Sequence, residues 1–438
     1  MNQERLRPAL LLFVLTLLLP ATSRAALDTA EQAMAATVTA EKERSIALLQ
    51  RLVDQNSGTL NRAGVEAVGQ QLRPELEALG FEVTWKPMAD AGRAGHLIAT
   101  HAGTPGRKRL LLIGHLDTVF EPDSPFQRFV RRDDIAEGPG VADNKGGLVV
   151  MLSALRAMHA AGTLAGANIE VVLSGDEEDA GAPYEVSRAD LVAAGRRADV
   201  ALDFEGLARE QGRDAGSTAR RSSYDWTLTT TGRSGHSSGI FNELQGYGAT
   251  YELARILDSF RRELPEPNLT FNVGLLGGGQ SVEMDAGSAR LAATGKSNII
   301  ASKAVARGDM RTLSLEQTNR VQAKMRAIVA EHLPGTGAEI DFEEGYPPVA
   351  PTAGNRALLM RLNAVNRDLG LDEMAELDPL QRGAGDIGFV AADVDSLIGL
   401  GIAGNRIHAP GETADLSSLV RQAQRAAILM SRLAQAPR

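Results

Sequence analysis

The chain has 438 residues, 43% hydrophobic and 23% charged, with 45 Gly and no Cys. That length suggests two or three domains with ample core, and the composition excludes collagen, a coiled coil and wholesale disorder. With 46 basic and 55 acidic residues the net charge is −9, which leaves no broad positive field for nucleic acid. The lack of Cys excludes disulfides and thiolate sites, so any metal must be held by His and carboxylates.

The N-terminus reads as an address. Arg5 and Arg7 precede an apolar run from Ala9 to Leu19, and Ser23-Arg24-Ala25 closes it with small residues on either side of Arg24. This is the layout of a cleavable signal peptide over residues 1–25, cut after Ala25, and it predicts a periplasmic or secreted product. No later segment reaches about 18 unbroken apolar residues, so no stable membrane span is expected.

Two helical stretches are expected between Asp28 and Leu79, the second over Val65–Leu79 and stopped by Gly80. Strand and helix signals then alternate. Phe81–Trp85, His96–Thr100, Arg109–Ile113, Ile169–Leu173 and Val200–Phe204 read as strands, with helices over Gly147–Ala161 and Ala189–Gly195. Such alternation predicts an α/β sheet covered on both faces. After about Ala219 the pattern changes to strand Ser223–Thr230, helix Tyr247–Leu264, strands Leu269–Leu276 and Ile299–Asp309, helix Leu315–Leu333 and strand Ala338–Phe342. That order is ferredoxin-like. The triple-Gly segment Gly277–Ala292 reads as a loop. Beyond Pro347-Pro348 the first style resumes with helix Asn355–Leu369, strand Ser396–Leu400 and helix Leu416–Ala434. The boundaries expected are 26–219 and 346–438 for one α/β domain, interrupted by an α+β domain over 220–345.

Several apolar strands run directly into His or acidic clusters: Gly114-His115-Leu116-Asp117, Gly175-Asp176-Glu177-Glu178 and Asp203-Phe204-Glu205. Ile398–Ile402 leads within a few residues to His408, and Asp143-Asn144-Lys145-Gly146-Gly147 opens a helix. In open α/β sheets, ligands bind beyond the carboxyl ends of the strands. Clustered carboxylates repel one another, so a cation is the physical reason to gather them. Two His and several carboxylates without thiolate suit Zn²⁺ or another divalent transition metal. His96, His101, His159 and His332 read as structural or solvated.

The runs GHLDTV, GPGVADNKGG, SGDEEDAG, DFEG, TGRSGHSSG and NRIHAPGE (within 114–412) resemble, in order and spacing, the M20 metallopeptidases, and among them the glutamate carboxypeptidase (carboxypeptidase G2-like) group. The resemblance implies a zinc-exopeptidase-like α/β/α catalytic domain interrupted by a ferredoxin-like lid and dimerisation domain. It implies two Zn²⁺ per chain: His115 and Glu205 on one, Glu178 and His408 on the other, and Asp143 bridging. Glu177 matches the general base, and Asp117 the carboxylate that fixes the His115 tautomer. His236 matches an oxyanion donor delivered from the partner of a homodimer, and Asn298 and Arg311 match residues that grip a substrate carboxylate. The implied substrate is a small peptide or N-acyl amino acid with C-terminal glutamate. N-acyl-amino-acid deacylase, aminopeptidase and a non-catalytic metal-binding homologue are the competing readings. Two departures stand out. Glu205 is followed by Gly206 where the family has Pro, leaving Asp203 a rival ligand, and the family's Gly-Ser/Thr-Asp turn is here Gly383-Ala384-Gly385-Asp386.

Overall fold

The computed structural model describes residues 27–438; the expected signal peptide lies outside them. Six strands form the main sheet in the order Glu82–Pro87, Gly95–His101, Asn168–Ser174, Arg109–His115, Val200–Asp203 and Ser396–Leu397. The last four are mutually parallel, while Gly95–His101 runs antiparallel to both of its neighbours. The parallel strands are nearly continuous apolar runs because both faces are covered. Helices Thr29–Ala40, Lys145–Ala160 and Leu416–Gln435 pack together on one face, and helix Ala189–Arg197 lies on the other. Helix Lys145–Ala160 is buried from its first residue to Met158. A Cβ at Gly147 would overlap the Phe204 carbonyl oxygen, so this glycine lets the helix start against the end of strand Val200–Asp203.

The second sheet runs Thr270–Phe271, Lys303–Arg311, Tyr224–Gly232, Thr336–Phe342, with Leu275–Gly279 also on Lys303–Arg311. Helices Ala249–Glu263 and Leu315–Ala330 cover one face around the buried Trp226 and Phe260. This antiparallel order is that of the expected ferredoxin-like domain.

Several expectations need correction. Three helices, not two, fill the N-terminal stretch: Thr29–Ala40, Lys42–Asp54 and Arg62–Glu77. The expected strand Leu269–Leu276 is split by a bulge. Phe271 pairs with Met310 and Leu275 with Arg307, so the three residues between these pairs on one strand face two on the other. The expected strand Ile299–Asp309 begins only at Lys303, and Ser396–Leu400 ends at Leu397, just ahead of Gly399 in the left-handed region at φ +82. The segment read as a loop contains the hairpin Ser281–Met284 with Leu291–Thr294. A further small sheet joins Gly404–Asn405, Thr413–Asp415, Ile135–Glu137 and Val130–Arg132, and its first two strands flank His408. Among the described residues, no helix is long and apolar enough to cross a membrane.

Candidate active site

Three parallel strands, the loop ahead of helix Lys145–Ala160 and the hairpin over 404–415 deliver the site. Strand Arg109–His115 ends on His115, and Asp117 follows it. The loop after Asn168–Ser174 carries Asp176, Glu177 and Glu178, and Val200–Asp203 leads to Glu205. Asp143 comes from the loop ahead of helix Lys145–Ala160. Glu412 holds that loop by accepting from the backbone N–H groups of Gly140, Ala142 and Asp143 at 3.1, 2.7 and 3.0 Å. Burial pushes the Glu412 carboxyl up to about 7.

Asp143 stands between two imidazoles. Its Oδ1 is 3.0 Å from His115 Nε2 and its Oδ2 is 3.1 Å from His408 Nε2. His408 Nε2 also lies 3.0 Å from Glu178 Oε2. His115, Asp143 and Glu178 each offer a ligand atom within 4.8 Å of the others, and so do His115, Glu177 and Glu205. On its far side, His115 Nδ1 is 3.3 Å from Asp117 Oδ1. Asp117 is fully buried and saturated: Thr59 Oγ1 donates to it at 2.7 Å, and the N–H groups of Glu177 and Glu178 donate at 3.0 Å each. Asp117 therefore fixes the Glu177-Glu178 loop as well as the imidazole. His408 adopts φ +65 at its hairpin tip, a left-handed conformation uncommon outside glycine and found where a site over-determines the backbone.

The electrostatics show a shortage of positive charge. Burial and the Glu205 charge push Glu177 well above the usual carboxylate range. Burial and the Asp143 charge outweigh the His408 hydrogen bond and raise Glu178 to about 7. Hydrogen bonds to Asp143 and Glu178 lift His408 to about 11. Burial opposes protonation of His115, yet its bonds to Asp117 and Asp143 raise it well above the ordinary imidazole value. The cluster thus gathers protons wherever it can. Glu178 Oε1 is buried without a hydrogen-bond partner. An oxygen-rich, thiolate-free set with two imidazoles and an unpartnered carboxylate oxygen fits divalent transition metals.

Asp203 is not in either ligand trio. Its Oδ1 accepts from the Glu205 N–H at 3.1 Å and its Oδ2 faces Arg220 at 3.4 Å, so the arrangement favours Glu205. The residues on the inserted domain have different surroundings. His236 is exposed and bonds within its own loop, Nδ1 to Ser238 Oγ at 2.8 Å, while the neighbouring Ser237 N–H donates to Asn298 O at 2.9 Å. Among the described residues, no hydrogen bond or ion pair joins His236 or Asn298 to the acidic centre. Arg311 is half-buried, bonds Asp309 at 3.1 Å and comes beside Gly383, in the turn whose carbonyl accepts from Arg220.

Sequence reasoning missed a buried scaffold under Glu177. Arg188 binds Asp386 at 2.8 Å and Asp176 at 2.7 Å, and donates to the Tyr346 hydroxyl at 3.0 Å. Tyr346 in turn donates to the Glu177 carbonyl at 2.6 Å. Arg188, Tyr346 and Arg220 lie outside the acidic runs and carry no local signal. Glu412 falls inside the NRIHAPGE run and could have been singled out there. His96 is structural, as expected: Gly175 N–H donates to its Nδ1, and its Nε2 bonds Ser187 O.

Residues 111–432 match peptidase family M20/M25/M40, and the chain belongs to that family. Carboxypeptidase G2 of Pseudomonas sp. (strain RS-16) is 27% identical over 405 residues, 90% of each chain. Succinyl-diaminopimelate desuccinylase of Leptothrix cholodnii is 31% identical over 201 residues, 44% of this chain and 51% of that protein. Among solved structures, a dinuclear metal binding peptidase of the M20 family from Bacillus subtilis superposes with a TM-score of 0.62 at 16% identity, covering 91% of this chain and 99% of that one. The protein is an M20-family metal-dependent hydrolase with a zinc-exopeptidase-like α/β/α catalytic domain and a ferredoxin-like lid.

Proposed function

We propose that this hydrolase cuts an amide bond next to a free carboxylate and releases C-terminal glutamate from small peptides or N-acyl amino acids, with two divalent cations, zinc foremost, at the acidic centre. The observation that carries the reading is the Asp143 carboxylate set between His115 and His408 with Glu177 alongside. His115 and Glu205 would hold one cation, Glu178 and His408 the other, and Asp143 both. When bound, such a pair polarises the scissile carbonyl and lowers the pKa of a water.

Glu177 accepts the proton of the attacking water and returns it to the leaving amine, a role suited to a carboxyl enclosed among like charges. Asp117 keeps His115 in one tautomer. His236, from the second copy of a homodimer, donates to the developing oxyanion, and Arg311 with Asn298 holds the substrate's terminal carboxylate, for which a planar guanidinium is suited. The similarity to carboxypeptidase G2 across both domains supports the glutamate reading. The desuccinylase match favours one alternative, an N-acyl-amino-acid deacylase working with the same centre. The N-terminal layout supports export to the periplasm or beyond.

The test is a panel of folate-like, dipeptide and N-acyl substrates on cation-loaded protein with product identification. Glutamate release is expected, and it should fall about 10²–10⁴-fold in Glu177→Ala at unchanged cation content. Preferred release of an acyl group from a side-chain or non-terminal amine would select the deacylase instead. Undiminished turnover in Glu177→Ala would remove Glu177 as the base.

A further inference from the structure

We propose that Arg220 is a positioning residue for the metal centre. Braced by Asp203, it engages one oxygen of Glu205 and leaves the other for a cation, in space kept open by Gly385. The inference rests on the two-cation reading above.

Arg220 is 6% exposed. Its guanidinium Nη1 lies 2.7 Å from Glu205 Oε2 and 3.4 Å from Asp203 Oδ2, and its Nε donates to the Gly383 carbonyl at 2.7 Å. Three separate pieces of chain, 203–205, 220 and 383–385, therefore meet on one guanidinium. Asp203 has both oxygens committed, one to the Glu205 N–H and one facing Arg220, which explains why this buried carboxylate is absent from the ligand trios while Glu205 is in one. A second guanidinium, the half-buried Arg382, donates to the Gly206 carbonyl at 2.7 Å and adds positive charge near Asp203 and Glu205. Behind Glu205, two carboxylates thus face two arginines, whereas Asp143, Glu177 and Glu178 face no guanidinium within ion-pair distance among the described residues.

Gly385 completes the arrangement. A Cβ at that position would overlap the Arg220 guanidinium and stand 2.8 Å from Glu205 Oε1. Any larger residue there must displace Arg220, Glu205 or both. The fork of an arginine can hold the Gly383 carbonyl with one nitrogen and Glu205 with another, which a lysine ammonium on a flexible stem cannot do in the same geometry. Partners that orient a ligating carboxylate typically contribute 10–100-fold in metal affinity, and that contribution should fall on the Glu205 position alone.

The experiment is titration of the metal-stripped chain with Co²⁺, followed by its d–d absorption and by calorimetry. Wild type should show two binding steps, and Glu205→Gln assigns one of them. Arg220→Met is expected to weaken that same step about 10–100-fold and leave the other within experimental error. Asp203→Asn and Gly385→Ser should weaken the same step by smaller factors. If Arg220→Met fails to fold, the near-isosteric Asp203→Asn carries the test by the same criterion. Unchanged affinities in these variants, or equal weakening of both steps, would overturn the positioning role. A wild-type chain that binds fewer than two Co²⁺ would instead refute the two-cation reading and the inference with it, a result visible before any variant is made.

Discussion

Asp214 and the Glu177–Glu178 pair, in the same α/β body, are surrounded in opposite ways. Asp214, on strand Arg213–Gly216, is met by Arg209 at 3.0 Å, Arg421 at 2.9 Å and Arg425 at 2.7 Å. Burial opposes its ionisation, but the hydrogen bonds from Arg421 and Arg425 hold its carboxyl well below the usual range. At Glu177 and Glu178 the balance is reversed: burial and the neighbouring Glu205 and Asp143 charges push them upward, and no arginine stands within ion-pair distance of either among the described residues. A carboxylate placed for stability arrives with its cation supplied by the chain. Glu177 and Glu178 are left short of positive charge, and such a shortage is what a bound cation would relieve.

Three substitutions sharpen that contrast. Asp143→Asn should have the largest effect. It removes the one carboxylate shared by both imidazoles, and kcat/KM should fall about 1000-fold or more, the several kcal/mol that metal assistance supplies; cation content measured by mass spectrometry should fall with it. Asp214→Asn should leave turnover intact and cost about 2 kcal/mol of stability at pH 7, the scale of hydrogen bonds to a charged group. The sign follows from linkage: the folded pKa is depressed, so the stabilisation is present above the unfolded value near 4 and is lost as pH falls below it. Denaturant melts of the two proteins should therefore converge on acidification. The smallest effect is expected for Glu178→Gln in metal-stripped protein. Relieving one repelled carboxylate should leave stability unchanged or raise it by about 1 kcal/mol at pH 7. Destabilisation comparable to that of Asp214→Asn would show that the two clusters are not opposites.

Much of this centre was legible in the sequence because the chemistry is written next to the strands. His115, Glu177, Glu178 and Glu205 each follow an apolar run directly, so strand order alone brings them together. His408 was legible through its motif, although the small sheet that presents it was not. The lid residues are a different case. His236, Asn298 and Arg311 match a pattern, but their hydrogen bonds are local, and no periodicity says what they face. The supports were illegible for a physical reason. Arg188, Arg220 and Tyr346 act through contacts made by folding segments that lie more than a hundred residues apart in several cases, such as Arg188 with Asp386 and Tyr346 with Glu177. Likewise, the bulge after Phe271 depends on register against a partner strand, which the apolar run Leu269–Leu276 does not encode.

The most direct test is anomalous diffraction at a metal absorption edge from crystals of the cation-loaded protein. Two peaks are expected, both within coordination distance of Asp143, one also touching His115 and Glu205 and the other Glu178 and His408. A single peak, or cations bound elsewhere with these five side chains uninvolved, would contradict the account.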